Sequence, residues 1–457
     1  MTIKELLSAS RFKMIALDDD PTGIQTVHGC LLITDWSAQN LKTAFEDECD
    51  FFYVLTNTRA MTAAQAAEVT RSAMEAILEA NKEFNYQLIF VSRSDSTLRG
   101  HFPLETDIMH ECLEKAGIAR LPLTIFAPAF IEVGRLSIDG THYLKDGDQL
   151  IPVNETEFAR DNVFAYHHAR LQDYIAEKLG GKAFAYERFH KGDKADDLRK
   201  MIENLQGQIR FDAATLDKVA MPAFLTVDAD TYADLENFAS CLLSYLSQDY
   251  RVAVLRTSSS LPKALSGIEN KDLLSKDELI QDDNAHQGLF IVGSHVKKTT
   301  AQLAQLLACP QTKGIELSIE DILYRSDELL KNVQQALTEA DSAGLTPVVF
   351  TARKEVRLDN ADERQALGQK VSDFLVSIVE HLPYQPAYLV AKGGITSHDI
   401  LTQGLSIRLA RVMGQILPGV PCIRTDESAR FAHLPYIIFP GNVGSENSLA
   451  EAFEKLK

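Results

Sequence analysis

The order of apolar and amphipathic segments predicts an α/β protein made of two α/β domains with mainly parallel sheets. Three observations carry that expectation. Short, wholly apolar runs alternate with helix-like stretches along most of the chain, which is the pattern of βαβ units. A charged stretch poor in apolar residues, SGIENKDLLSKDELIQDDNAHQG at 266–288, interrupts the alternation and reads as a linker. A chain of 457 residues also exceeds what one hydrophobic core organises, so domains at 1–265 and 289–457 are expected.

The elements follow in order. FKMIAL (12–17), GCLLIT (29–34), FFYVLT (51–56) and LIFVS (88–92) read as buried strands. TAAQAAEVTRSAMEAILEANKEF (62–84) carries apolar residues at helical spacing, with Thr62 as its N-cap. LTIFAPAF (123–130) is a strand and loop, and residues 154–210 are more helical and polar. FLTVDA (224–229) and RVAVLRTSSSL (251–261) resume the alternation. Beyond the linker, LFIVGS (289–294), TPVVFTA (346–352), AYLVAKGG (387–394) and YIIFPGNVG (436–444) are the strands of the second domain.

Composition narrows the function classes. A net charge of −18 argues against general nucleic-acid binding, which needs a basic footprint, although a local Arg or Lys cluster still suits a small anion. The six cysteines are scattered without a CxxC pair, which suits a reducing compartment and predicts neither a disulfide framework nor a zinc site. No run approaches the ~18 apolar residues of a membrane span, and MTIKELLSASRFKM lacks the apolar core of a signal peptide. A soluble, cytoplasmic protein without a membrane partner is the expectation, with a homodimer as the default assembly.

Candidate chemistry gathers where loops follow strands, because α/β sheets bind ligands at the carboxyl ends of their strands. In MIALDDDPTG (14–23), three consecutive carboxylates end an apolar run. Such carboxylates accept a proton or hold a cation, whereas Asp-Pro-Thr-Gly alone also suits an exposed turn. SRSDSTLRGH (92–101) offers hydroxyl and backbone donors with Arg99, a cradle for a carboxylate or phosphate, and Gly100 permits close approach of the backbone. TNTRA (56–60) and APAFIEVGRLSIDG (127–140) add Arg59 and Arg135 from further strand ends. In the second half, GSHVKKTTAQL (293–303), AKGGITSHD (391–399) and FPGNVGSEN (439–447) each place glycines after a strand, and three such loops suggest a nucleotide phosphate and ribose site. Of the twelve histidines, His28 and His101 lie close to the two strongest loops, 14–23 and 92–101, and no HxH or HExxH spacing identifies a metal site.

The combination of DDDPTG, NTRAMTAAQA, DSTLRGH and APAFIEVGR resembles the N-terminal half of the four-carbon acid sugar kinases. VGSHVKKTTAQL, AKGGITSHDIL and FPGNVGSENSL resemble the C-terminal half of the same family. The resemblance implies ATP-dependent phosphorylation, with Mg²⁺, of a terminal hydroxyl on a sugar acid such as threonate, erythronate or 3-oxo-tetronate. It implies an N-terminal domain for the acid, a C-terminal domain for ATP, and an active site in the cleft between them. Carried over, Asp19, Asp20, Thr22 and Gly23 match one signature, and Asp95, Ser96, Thr97, Leu98, Arg99 and Gly100 match another. Ser294, Gly393, Gly394, Thr396, Gly441 and Gly444 would approach the nucleotide, together with Ile395 and Asn442 within the same loops. Two departures stand out: Ile395 occupies a position where the family often has Asp, and Phe439-Pro440 replaces a frequent Lys-Ser.

Phosphoryl transfer needs a base near the attacking hydroxyl and positive charge near the transferred group. Asp19 or Asp20 is expected as that base, and Arg99, with Arg59 and Arg135, as the clamp on the acid. Two rivals remain. Asp18-Asp19-Asp20-Pro21-Thr22 also fits the DxDxT nucleophile loop of haloacid-dehalogenase-like phosphatases, with Asp18 attacking phosphorus. A non-catalytic sensor of a sugar acid would keep the Arg and Ser/Thr cradle without a base.

Overall fold

The structure is a computed structural model that describes residues 2–212, 221–280, 286–294, 296–353, 361–441 and 443–457. The chain divides into two compact units. One comprises Met1–Gly23 with Asp35–Glu269, and the other Ile24–Thr34 with Asn270–Lys457.

The first unit is built on seven parallel strands in the order Phe51–Leu55, Phe12–Asp18, Gln87–Arg93, Val252–Thr257, Arg120–Ala127, Ala223–Val227 and Ala185–Phe189. The strand Phe12–Asp18 is buried along its whole length, as expected for a central strand covered on both faces. Even Lys13 is enclosed, and its ammonium donates to the carbonyls of Asp47 and Cys49 at 2.9 and 2.7 Å. The helix Ala63–Phe84 begins in a capping box, in which the hydroxyl of Thr62 accepts from the Gln65 N–H and the Gln65 side chain accepts from the Thr62 N–H. It buries Ala66, Thr70, Ala73, Met74, Ile77 and Leu78, one stripe at 3–4 residue spacing, and stops where Asn85 turns left-handed.

Register makes the strand ends level. Asp18 pairs with Leu55 on one side and Arg93 on the other, and Arg93 in turn with Thr257, which pairs with Ala127. The loops that follow these strands therefore leave from one edge. The chain passes from Phe12–Asp18 to its neighbour on one side, then crosses to Gln87–Arg93 on the other, so the topological switch point lies between those two strands.

After Arg120–Ala127 the chain makes an antiparallel excursion, Arg135–Ile138, Thr141–Asp146 and Gln149–Pro152. Asp139 and Gly140 both have positive φ and form its first turn, the Asp-Gly hairpin preference. Arg135, expected in a loop, begins the first of these strands.

The second unit has five parallel strands, Thr312–Leu317, Thr346–Thr351, Leu289–Val292, Leu389–Lys392 and Pro435–Phe439. It continues through the antiparallel strands Val420–Thr425 and Leu409–Leu417 to Leu31–Ile33. Its switch point lies between Leu289–Val292 and Leu389–Lys392, where the chain changes the side of the first strand on which it adds the next.

The compact units depart from the order of the chain in two places. GCLLIT was assigned with the first domain, but Leu31–Ile33 pairs with Leu409–Arg411 in the second unit, because an antiparallel edge needs only a short apolar strand from anywhere in the chain. The stretch 266–288 is also not simply a linker. Leu274 and Leu279 are packed into the second unit's core, and the N–H of Leu274 donates to the Gln415 carbonyl at 2.8 Å. Two apolar residues among many charged ones sufficed to dock it. Residues 281–285 of that stretch lie outside the described residues.

Candidate functional site

At the switch point of the first unit, carboxylates and guanidiniums form two layers. The inner layer is closed to solvent. Asp18 is fully buried, and its Oδ1 accepts from Arg93 at 2.9 Å and from the N–H of Asp20 at 3.3 Å. Its Oδ2 has no hydrogen-bond partner among the described residues. Burial, with the charges of Asp19 and Asp20, pushes the Asp18 carboxyl up to about 7 against the pull of Arg93. A Cβ at Gly23 would fall 1.9 Å from Asp18 Oδ2, so only glycine lets the chain turn back over this carboxylate.

Asp19 is equally enclosed and more fully partnered. Arg59 donates to both its oxygens, at 2.6 and 3.2 Å, and the hydroxyl of Ser94 donates to Oδ2. Arg93 lies 3.7 Å from Asp19 and also donates to Ser259 at 3.2 Å. Glu105 sits beside this layer, accepting from the hydroxyls of Thr58 and Ser92, and burial with the neighbouring Asp19 charge pushes it up to about 7.

The outer layer is half-exposed. Asp20 accepts from the N–H of Thr22 at 2.8 Å and from the Thr22 hydroxyl, and Arg59 Nη1 lies 3.6 Å away. Burial works to raise the Asp20 carboxyl, but Arg59, Arg93 and the Thr22 hydrogen bonds outweigh it and hold it below the usual range. Asp95 accepts from Arg99 Nε at 2.6 Å and from the Thr97 hydroxyl, and lies 3.8 Å from Arg59. Despite its burial, Arg59 and Arg99 hold it well below the ordinary carboxylate range. Arg99 also lies 3.6 Å from Asp161 and packs its guanidinium over Phe158.

The loop 95–100 is held in place by strained backbone and by its own carbonyls. Leu98 adopts a left-handed conformation, φ 66°, which costs roughly 1–2 kcal/mol. Its side chain anchors in an apolar cluster with Phe102, Phe126 and Tyr174, and the Tyr174 hydroxyl donates to its carbonyl at 2.7 Å. Tyr166 donates likewise to Thr97, and the ring of His142 lies 2.7 Å from the Ser96 carbonyl. At Gly100, φ 117°, a Cβ would fall 2.5 Å from Ser94 Oγ and 3.1 Å from Asp19.

The structure thus brings Asp19, Asp20, Thr22, Gly23, Arg59, Asp95, Ser96, Thr97, Arg99 and Gly100 together. Arg135 reaches the rim, its guanidinium also over Phe158, where it donates to the Val133 carbonyl at 2.6 Å and forms no ion pair with a described residue. His101 is a packing residue, against Met61 and Phe164. Sequence reasoning missed Arg93, Arg256 and Glu105. Arg256, buried, donates to the Arg99 carbonyl at 3.1 Å. Its signal was present in VLRTSSS, where a charged residue interrupts an otherwise apolar central strand.

In the second unit, three of the loops at the carboxyl ends of neighbouring strands meet. The N–H of Ser294 donates to the Lys392 carbonyl at 3.3 Å, and that of Gly393 to the Phe439 carbonyl at 2.9 Å. A Cβ at Gly393, φ 116°, would fall 3.0 Å from Ser294 Cβ, and one at Gly441 would fall 3.6 Å from Ser294 Oγ. Thr396 is buried on the short helix Gly394–Asp399, whereas Ile395 is 68% exposed. Gly444 packs against Ser448, and Asn442 lies outside the described residues. Two cations escaped the sequence reading. Lys392 is buried beneath this loop cluster, and Arg353 donates to the carbonyl of Ser294. Among the described residues, no group of three or more His, Cys, Asp or Glu side chains is arranged to hold a metal ion, and no helix is long and apolar enough to cross a membrane.

Comparison with known proteins agrees with this two-site organisation. A sugar-binding N-terminal domain matches residues 14–265 and a nucleotide-binding C-terminal domain matches residues 289–449. The chain is similar to D-threonate kinase of Bordetella bronchiseptica, 34% identical over 412 residues that span 90% of this chain and 87% of that one. It is similar to D-erythronate kinase of Heliobacterium modesticaldum, 23% identical over 367 residues, 80% and 70% of the two chains. Among solved structures, Haemophilus influenzae protein HI1011 shares the fold with a TM-score of 0.66 at 16% identity, over 97% of this chain and 100% of that one. A protein described as a putative tRNA synthase from Salmonella typhimurium LT2 shares it at 0.69 and 17%, over 98% and 99%. The chain belongs to the four-carbon acid sugar kinase family. The two α/β domains with mainly parallel sheets expected from the sequence are present.

Proposed function

We propose that the protein transfers the terminal phosphoryl group of ATP to a hydroxyl of a small sugar acid of the threonate and erythronate class. The acid occupies the first unit and the nucleotide the second. The observation that carries this reading is the layering at the first switch point: a fixed, buried ionic base beneath a half-exposed surface that alternates Asp20, Arg59, Asp95 and Arg99.

Arg99 holds the acid's carboxylate. Its Nε is committed to Asp95, but its Nη2 makes no hydrogen bond among the described residues and is free to donate. Arg135, on the other side of Phe158, adds a second guanidinium at the rim. Asp20 takes the proton from the attacking hydroxyl, because it is the ionised carboxylate of the opening triplet with an exposed edge. Arg59 Nη1, 3.6 Å from Asp20, supplies positive charge beside the oxygen that becomes bonded to phosphorus. Asp19 instead fixes Arg59 in that pose. The closed burial of Asp18 disfavours the phosphatase reading, since a nucleophile must reach phosphorus.

The glycine positions beside Ser294 suit a nucleotide's phosphates, since a side chain at Gly393 would crowd Ser294 and one at Gly441 would occupy space beside its hydroxyl. Mg²⁺, when bound, would supply positive charge to the nucleotide phosphates. The donor set of the described residues suits an ion carried mainly on those phosphates rather than caged by protein.

The test is ADP release from Mg·ATP across the stereoisomers of the four-carbon sugar acids and their 3-oxo forms. At least one acid should stimulate release many-fold over the acid-free rate. If Mg·ATP stabilises the protein thermally yet no acid stimulates release, the catalytic reading fails and a binding role takes its place.

A further inference from the structure

Lys392 ends the strand Leu389–Lys392 and is fully buried. Among the described residues its ammonium pairs with no carboxylate. It donates to the carbonyls of Pro440, at 2.6 Å, and Gly441, at 3.2 Å, and lies over the ring of Phe439. A buried charge without a counter-ion is costly, so such a group persists where something else compensates for it.

The compensation follows from peptide geometry. In a trans peptide the C=O and the next N–H point in opposite directions. Turning the Pro440 carbonyl down toward the ammonium therefore turns the N–H of Gly441 up and away from it. That N–H makes no hydrogen bond among the described residues, and a Cβ built on the same residue lies 3.6 Å from Ser294 Oγ. Thr299, on the helix Lys297–Leu307, helps from the side, donating to the Gly441 carbonyl at 3.4 Å.

We propose that Lys392 is a positioning residue for phosphate: its ammonium holds the Pro440 and Gly441 carbonyls inward, which presents the Gly441 N–H outward to an anionic phosphate beside Ser294. The inference rests on the nucleotide reading of the second unit and names how one of its loops is set. Lys392 need not touch the phosphate, because it acts through the two carbonyls that its ammonium holds.

A second consequence concerns protons. Burial, and next the charge of Lys298, lower the Lys392 ammonium to about 7. Among the described residues, other ionisable groups on neighbouring elements include Tyr436 and Tyr388, whose hydroxyls burial holds in the neutral form, Lys297 and Lys298, His398, Asp399, which accepts from Ser372, and Arg353 near Ser294. Of all these, Lys298 is the one that acts on it. A polyanion bound above the loop favours the charged form, so binding draws a proton onto Lys392.

Calorimetric titration of the full chain with Mg·ADP at pH 8, in two buffers of different ionisation enthalpy, reads that proton directly, since the nucleotide phosphates are already ionised there. The wild type should take up a substantial fraction of a proton. Lys392→Met should take up none and bind Mg·ADP on the order of tenfold more weakly, with the affinity for the sugar acid unchanged. Unchanged Mg·ADP affinity in Lys392→Met, or the same proton uptake, overturns the proposal. Should that variant not fold, absence of proton uptake by the wild type overturns it equally. If the wild type shows no Mg·ADP binding at all, the nucleotide reading itself has failed.

Discussion

Arg59 spends two of its three guanidinium nitrogens on Asp19 and keeps the third 3.6 Å from Asp20. One side chain thus joins a buried carboxylate to a half-buried one that keeps an edge open to solvent. Neighbours in sequence, the two aspartates carry different duties because the chain turns between them.

Substituting each separates those duties. Asp20→Asn should lower kcat roughly 100-fold or more while leaving the thermal midpoint close to that of the wild type. Asp19→Asn leaves the half-buried Arg59 and the buried Arg93 facing a neutral amide and should cost about 3 kcal/mol of stability as well as activity. Steady-state kinetics paired with urea unfolding distinguishes the two patterns; a fully active Asp20→Asn enzyme would move the base elsewhere.

Arg99 is expected to act on binding. Arg99→Ala should raise KM for the acid by roughly 10- to 100-fold, with a smaller change in kcat, as for loss of a charge-assisted hydrogen bond. Arg135→Ala should act in the same direction and more weakly. Initial rates against acid concentration at saturating ATP check both, and an unchanged KM for Arg99→Ala refutes the clamp.

Gly23 tests the packing beneath the site. With a methyl group 1.9 Å from a buried carboxylate oxygen, Gly23→Ala must displace Asp18 or the turn, at a cost of about 3 kcal/mol or more. A variant with wild-type stability would mean that the loop adjusts freely.

Asp18 and Glu105 make stability fall across the neutral range. Both carboxyls are pushed up to about 7 from ordinary values of 3.8 and 4.5, so between those limits the native state holds more protons than the unfolded chain. Their contribution is fully present below pH 4 and is lost as pH rises through 7. Asp18→Asn cannot ionise, so its stability relative to the wild type should improve between pH 5 and pH 8. Urea unfolding at the two pH values measures this, and a difference that is constant or moves the other way rejects it.

How far the sequence could be read follows from what each residue answers to. Strand ends and signature loops were legible because apolar runs, Asp-Pro-Thr-Gly and Ser-Thr-Leu-Arg-Gly are local patterns. The layering was not. Whether Asp18, Asp19 or Asp20 meets solvent depends on Arg93 and Arg59, which arrive from other strands, and no spacing reports that. Lys392 was hidden for a similar reason, since its partners are backbone carbonyls 48 and 49 positions away. That residues 24–34 pack with the second unit was not legible, because an edge strand's sequence carries no record of the sheet it joins.

That edge strand bears on biosynthesis. Ile33 leaves the ribosome long before its partner Leu409. That pairing therefore cannot form until synthesis has passed Leu409, and the nascent chain must keep Leu31–Ile33 from pairing with something else meanwhile. A gene fragment that starts at residue 270 would encode every loop ascribed to the nucleotide while leaving the strand Leu409–Leu417 bare along one side, an open template for a neighbouring molecule.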